Sequence, residues 1–328
     1  MELSIFQYYF MKTAIIGGGI CGLYLAKNLA QKGIQTTVFE RKKNIGKICC
    51  SGLFSERLFE HLPQAKPLAV NIIRKAIINF PKRRIELVFK QPFFIINHFQ
   101  LDNLAADLAS KAGASIISGE TVDGAKLKEL TQNYERIIGA DGAFSAVRKY
   151  LALPNPEFWL GIQFFEKKYD TSDSVETWAT KNGFLWRIPR GNEVEWGIME
   201  KPASARKLFD KFIAQQGLKP DKLVSAVIPQ GFTLPKNNKF TLCGDASGLT
   251  KPWSGGGVLW GLKQADILLK NFPNFIQYKQ EAQSFFRLKI IVGKAAKSAA
   301  YTAGFNFGFL IPRKINLDGD FLFKFSKK

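Results

Sequence analysis

Two packed units, a parallel sheet flanked by helices and a second, mainly antiparallel sheet, are the architecture this sequence predicts. Three observations carry the expectation. A glycine-rich turn, Gly17–Gly22, joins a short apolar run to a helical pattern and then to a second apolar run ending at Glu40, the order of a strand–helix–strand unit. Strand-length and helix-length patterns then alternate as far as Leu151. From Phe158 to Met199 the texture changes to short β-runs punctuated by Lys181-Asn182-Gly183 and Arg190-Gly191-Asn192, which are hairpin signals.

The elements follow in order. Lys12–Gly17 reads as a buried strand, and Ile20–Gln31 sets Leu23, Leu25, Ala26, Leu29 and Ala30 at helical spacing. Gln35–Phe39 is a second strand. Ser55–Leu62 reads as a helix, and Val70–Phe80 and Arg84–Lys90 as β-runs about a Pro-Lys-Arg turn. Leu101–Ala112 is a helix ended by Gly113, Ser115–Ser118 and Arg136–Gly139 are strands, and a helix is expected at Phe144–Leu151. After the antiparallel stretch come a helix at Ser204–Gln216, strands at Leu223–Ile228 and Phe240–Cys243, and helices at Gly256–Lys270 and Ile276–Ala300. The β-rich insertions divide the chain discontinuously: 11–69, 94–150 and 236–328 form one unit, and 70–93 with 151–235 the other. Residues 1–10 precede a natural start at Met11, lack a basic region, and are expected to be an extension without chemistry.

Composition excludes several classes. With 46% hydrophobic and 23% charged residues the chain is globular rather than disordered. It holds no uncharged apolar run of the ~18 residues that a membrane span needs. Four cysteines and two histidines make neither a disulfide framework nor a His-rich metal site, and point to a reducing, cytoplasmic setting. Residues 1–200 carry 26 basic and 20 acidic groups, whereas 201–328 carry 21 and 7. A cationic C-terminal third suits a polyanion such as an anionic membrane surface.

Chemistry concentrates in the glycine turn. Gly17 permits a tight bend, Gly19 lets backbone approach a pyrophosphate, and Gly22 allows close packing of helix on strand. The helix N-terminus faces the phosphates, and Glu40, followed by Arg41, closes the second strand where a carboxylate meets ribose hydroxyls. Dinucleotide binding follows.

The segment Gly139-Ala140-Asp141-Gly142, with Ser145 and Arg148, resembles the second motif of two-domain flavoprotein hydroxylases and their relatives. Thr241–Ala246, centred on Asp245, resembles their second FAD signature, and Gly255-Gly256-Gly257 opens a helix expected to face the flavin. The resemblance makes the cofactor FAD and the first unit a Rossmann-type FAD-binding domain. Cys50-Ser51-Gly52 is similar to the Cys-x-Gly segment of the geranylgeranyl reductase family, and Phe184–Pro189 to its aromatic strand. Pro252–Gly257 is similar to its glycine segment beside the flavin. This resemblance covers most of residues 12–270. It implies reduction of isoprenoid double bonds by hydride from reduced flavin, with Cys50 in a catalytic place. Phe184, Trp186, Pro189 and Trp253 would shape an apolar substrate cavity.

Two departures stand out: His98 where relatives carry Arg, and Ile188 where they carry Phe. The implied partners are a prenyl-lipid or prenyl-diphosphate substrate, an electron donor that is a ferredoxin or NAD(P)H, and an anionic membrane surface; nucleic acid is not expected. The location is cytoplasmic with peripheral contact at the membrane, through Phe305 and the aromatic, lysine-rich residues after it. An aromatic monooxygenase with the same FAD motifs is the alternative, and a flavoprotein acting on RNA is a further one.

Overall fold

The computed structural model describes residues 11–47 and 49–320. Residues 1–10 and the terminal aromatic and lysine run after Asp320 lie outside the described residues.

The first sheet is all parallel. Strands β1 (Lys12–Ile16), β2 (Gln35–Glu40), β6 (Ser115–Ser118), β7 (Arg136–Gly139) and β13 (Phe240–Leu242) lie in the order β13-β7-β1-β2-β6. All but the edge strand β6 are buried through most of their length, as a parallel sheet flanked by helices requires. Those helices are α1 (Ile20–Gln31), α3 (His98–Lys111), α4 (Gly124–Asn133), α5 (Ala146–Tyr150), α7 (Val258–Asn271) and α8 (Phe275–Asn306). The short helix α2 (Leu58–His61) belongs to the same core through Leu58 and Leu62.

Among the described residues the second sheet has nine strands. Antiparallel pairings join β8 (Glu157–Glu166), β10 (Phe184–Pro189), β11 (Val194–Glu200) and β12 (Val224–Gln230), and β9 (Ser174–Ala179) pairs with β10. A parallel pairing of β9 with β4 (Ala69–Phe80) attaches the long hairpin of β4 and β5 (Arg83–Ile96). On β5 also pair β3 (Leu53–Ser55) and, in parallel, β14 (Lys314–Leu317). Alternation sends Leu185, Val194, Trp196 and Ile198 to one face, where Phe209, Phe212 and Ile213 of α6 (Pro202–Gln215) cover them. Each fully buried ring there contributes about 1.5–3 kcal/mol.

Several elements differ from the sequence reading. The expected helix at Ser55 begins instead as β3, because Leu53–Ser55 finds a partner in Phe93–Ile95. The helix at 144 starts later: the Ser145 side chain accepts the Arg148 N–H at 3.0 Å and fixes the first turn at Ala146. Helix α4 has no counterpart in the reading, since only Leu127 and Leu130 are buried on it. Residues 314–317, grouped by sequence with the first unit, return to the second sheet as β14.

The return is pinned by charge. Buried Asp320 accepts from Lys251 Nζ at 3.0 Å and Arg57 Nη1 at 3.3 Å, and from the Ser55 hydroxyl. Its carbonyl takes the Trp260 indole N–H at 2.9 Å.

Candidate active site

The glycine turn sits at the carboxyl end of β1. Gly17 has φ +107°, and a Cβ there would lie 2.4 Å from the Ala140 carbonyl oxygen. A Cβ on Gly22 would lie 2.1 Å from the Gly17 carbonyl, so strand and helix touch through these two residues. Gly19 is the opposite case, because a Cβ there would meet nothing within 4 Å. Helix α1 has no side-chain cap and no acidic residue in its first turn, so its leading N–H groups open onto that space with the positive end of the dipole. At the rim, Glu40 is held by the Gly18 N–H at 2.7 Å and the Lys42 N–H at 2.9 Å. Arg41 beside it is exposed. An open, uncapped helix end with a fixed carboxylate at its edge fits the pyrophosphate and ribose of FAD.

The later motifs close on the same end of the sheet. Asp141, after β7, accepts the Ala146 N–H at 2.6 Å, while its other oxygen is buried without a partner and burial raises its pKa. Asp245 lies 3.7 Å from Lys47 Nζ, and a Cβ on Gly257 would come within 2.6 Å of its carboxylate. Gly255 (φ +69°) brings the loop before α7 against the second sheet, where a Cβ would lie 2.6 Å from Met199 Sδ. Gly256 packs on Lys251. Arg148 is placed differently from the expectation. Its guanidinium is spent on the carbonyls of Ala246 (2.8 Å) and Ala143 (2.5 Å) and on Asn155, so it clamps two loops together from a buried position.

Cys50 lies where the loop after β2 crosses to the second sheet. Gly52 there has φ +62° and a Cβ would lie 2.2 Å from the Ile96 carbonyl oxygen, which explains the glycine. Its N–H points at Cys50 Sγ at 3.5 Å. Gln163 Nε2 donates to the Cys50 carbonyl at 3.4 Å, and Arg190 Nη1 to that of Ser51 at 2.6 Å.

Beneath the loop is a buried charged group that the sequence reading noted only as a departure. His98 is buried, with Nε2 3.3 Å from Asp102, whose other oxygen accepts the Lys47 N–H at 3.0 Å. Burial pushes the Cys50 thiol up, but the adjacent His98 imidazolium, helped by Lys47, overcomes it and brings it down to about 7. Burial pulls His98 the other way, and the Cys50 thiolate and Asp102 carboxylate outweigh it, lifting the imidazole to about 10. Cys49 shows the contrast, since burial takes it up to about 12.

The aromatic strand faces this loop. Trp186, with Trp159, Ile188, Met199, Phe93 and Ile95, forms the sheet face opposite α6. The Trp186 ring lies over Gly197, where a Cβ would come within 2.2 Å. Its indole N–H donates to Glu195 at 2.8 Å, and the second Glu195 oxygen accepts Arg190 Nη1 at 2.9 Å. Burial raises Glu195 to about 7 against the opposing pull of Arg190 and Trp186. Phe184 stands 5.8 Å from Trp186, ring to ring, and Pro189 ends the strand buried. The rings pack on one another, so the expected cavity is filled by the protein's own side chains. Trp253 is elsewhere: it meets Trp260 edge-on at 5.7 Å and packs over Gly293 of α8. Sequence reasoning missed His98 with Asp102, and Glu195 with Arg190. The signals available were an i,i+4 pair on one helix and an acid on the inward face of a wholly buried strand.

Comparison with known proteins agrees with this fold. Residues 12–152 match the family described as FAD dependent oxidoreductase. A digeranylgeranylglycerophospholipid reductase of Methanococcoides burtonii is 25% identical over 75% of this chain and 70% of its own length. A geranylgeranyl bacteriochlorophyll reductase-like protein from Thermoplasma acidophilum superposes with a TM-score of 0.73 at 19% identity, covering 89% of this chain and 88% of that one. Halogenase PltM, solved with FAD, superposes with a TM-score of 0.66 at 15% identity over 90% of this chain and 77% of that one. The chain is an FAD-dependent oxidoreductase resembling the geranylgeranyl reductases.

Proposed function

We propose that this FAD-dependent oxidoreductase saturates carbon–carbon double bonds of isoprenoid chains carried on lipid. One observation carries the reading: Trp186, Glu195, Arg190 and Ser51 form an unbroken chain of hydrogen bonds, which locks an apolar sheet face to the loop bearing a low-pKa thiol. The name of the methanogen relative supports the substrate class.

Bound FAD, when reduced, supplies the hydride equivalent for one alkene carbon. The chain's residues do the rest. Gly17, Gly19, Gly22, Glu40 and Asp245 would hold the cofactor, with Gly255–Gly257 beside the ring. To lie on this face an isoprenoid chain would part the packed side chains of Phe184, Trp186 and Ile188, which then keep water from it. Cys50 Sγ delivers a proton to the second alkene carbon as the π bond is consumed, and His98 replaces that proton. Asp102 fixes the imidazole and favours its charged form. An unconjugated alkene has no carbonyl to share developing charge, so a positioned proton is required.

We place the lipid-facing surface at the end of α8. Phe305, expected to be unburied, instead packs edge-on to Phe80 at 5.5 Å. Exposed Phe307, Phe309 and Leu310 lie next to Arg313 and Lys314, and Leu288 and Ile291 are exposed beside Arg287. Apolar side chains with flanking cations suit an anionic interface. No described helix is long and apolar enough to cross a membrane. No second glycine-rich dinucleotide turn occurs in the sequence, which leaves a ferredoxin or a transiently bound nicotinamide as electron donor.

The test is anaerobic incubation of reduced holoenzyme with geranylgeranylated glycerophospholipid vesicles, read by mass spectrometry. Hydrogenated lipid is the expected product. The fold shared with a halogenase favours oxygen-dependent chemistry as the second reading, and a product formed only in air would select it.

A further inference from the structure

The second half of α8 turns one stripe toward the second sheet. Gly293 meets Trp253, Lys297 meets Trp159, the Tyr301 hydroxyl donates to the Gly183 carbonyl at 2.7 Å, and Gly304 meets Phe80. The spacing is that of successive helical turns. Within this stripe a charge is stranded. Lys297 Nζ lies 4.2 Å from the centre of the Trp159 ring, and Lys201 Nζ lies 4.4 Å from the same centre. Lys201 has a counter-ion, Glu157. Among the described residues Lys297 forms no ion pair.

Glu200, an acid acting on Lys297, is already committed. It accepts from the Lys201 N–H at 2.8 Å, from Asn182 Nδ2 at 2.9 Å, from the Gly183 N–H at 3.2 Å and from the Thr180 hydroxyl. Burial, with Lys201 adding to it and Glu200 opposing, pulls Lys297 down to about 8. A second donor is also unmatched. Trp159 is 6% exposed and among the described residues its indole N–H has no acceptor, a costly arrangement for a buried polar group. Two ammonium groups and an orphan N–H thus meet on one ring, and only Lys201 has a carboxylate of its own, the half-exposed Glu157.

Trp159 belongs to the same apolar face as Trp186 and Met199. An anion held here would therefore sit at the edge of the surface that takes the isoprenoid chain. We infer that Lys297 and Lys201, gathered on Trp159, form the subsite for the phosphate headgroup of the prenyl substrate. The inference rests on the isoprenoid reading for what the phosphate is attached to, and on the geometry alone for the anion. A phosphate would neutralise the stranded ammonium, and it would anchor one end of a chain whose remainder is held only by non-directional contacts.

The experiment uses flavin-bound protein and its Lys297→Gln and Lys297→Arg variants, with flavin content and Tm checked for each. Equilibrium binding is measured for geranylgeranyl diphosphate, geranylgeraniol, inorganic pyrophosphate, and a geranylgeranylated glycerophosphate presented in neutral vesicles. Lys297→Gln should weaken the diphosphate at least tenfold with the alcohol unchanged, and Lys297→Arg should restore most of the loss. Comparison of the soluble diphosphate with the vesicle-borne phosphate tells which source carries the headgroup. Equal weakening of diphosphate and alcohol, or no change in either, overturns the subsite. Lys297-dependent binding of pyrophosphate without binding of any prenyl compound would uphold the anion site and refute the isoprenoid reading.

Discussion

Replacing His98 with Gln keeps a hydrogen-bonding side chain and removes the charge that holds the Cys50 thiolate. The ordinary thiol value is 9.0, and the site brings Cys50 to about 7. That difference is about a hundredfold in thiolate over thiol, or about 2.7 kcal/mol. Without the imidazolium, burial is opposed only by the weaker effects of Lys47 and the Gly52 N–H, so the variant should titrate at or above the ordinary thiol value. At pH 7 the thiolate fraction should fall from about half to about one per cent. The rate of alkylation by iodoacetamide, followed against pH and assigned to Cys50 by peptide fragmentation, measures this directly. Cys49, raised to about 12, serves as the internal control. The same interaction enters stability with two signs. His98, raised, contributes below its unfolded value of 6.5 and loses the contribution as pH rises through about 10. Cys50, depressed, contributes above 9.0 and loses it as pH falls through about 7. The pair therefore exists between about pH 7 and 10. If His98→Gln leaves the Cys50 midpoint where it is in the wild type, the imidazolium is not what tunes the thiol.

Other perturbations separate the roles of neighbouring residues. Gly19→Val should leave the Tm of flavin-free protein nearly unchanged, because its side chain enters open space, yet abolish FAD binding; Gly17→Ala should instead lower the Tm through its clash with Ala140. Retention of FAD by Gly19→Val would place the pyrophosphate elsewhere. Gly197→Val should displace the Trp186 ring and cost about 1–3 kcal/mol in chemical denaturation, whereas an unchanged midpoint would mean the ring has room to move. Asp320→Ala leaves buried Lys251 without its carboxylate, while Arg57 keeps Asp318, and should cost about 3–5 kcal/mol. Burial acts to raise Asp320, but Lys251 outweighs it and holds the carboxyl below its ordinary value. Its contribution is thus full above 3.8 and lost as pH falls through the lower folded value, so wild type and variant should converge in stability at strongly acid pH.

The parts legible in the sequence are those dictated by local backbone chemistry. The Gly17–Gly22 turn announces itself because each glycine answers a contact a Cβ would violate or a space a ligand needs, and the strand–helix–strand order around it confirms the unit. Gly52 and Gly197 are readable for the same reason. The charged part of the site is not local. Arg190 reaches Ser51 across 139 residues of chain, and Lys251 reaches Asp320 across 69. Nothing in either segment marks its partner until the two sheets are docked. For Trp253 and Arg148 the motif gives a residue's type and place but not the direction of its side chain. Trp253 was drawn to Trp260, and Arg148 to two carbonyls of adjoining loops. Strand β14 escaped because a four-residue edge strand is created by the partner it meets, here Glu86–Phe89.

The central claim, that a thiol on an apolar, flavin-facing loop protonates an isoprenoid alkene, is tested most directly by one anaerobic experiment in deuterated water. Photoreduced wild type and Cys50→Ala holoenzymes are mixed with geranylgeranylated lipid, and reoxidation of the flavin is followed with the isotopic mass of the lipid. The wild type should reoxidise and place two solvent-derived deuterons on each double bond reduced, one through the exchangeable hydride position of the flavin and one through Cys50, while Cys50→Ala keeps its FAD and slows reoxidation by at least tenfold. Equal rates from both proteins, or a wild type that reoxidises only when oxygen is admitted, would contradict it.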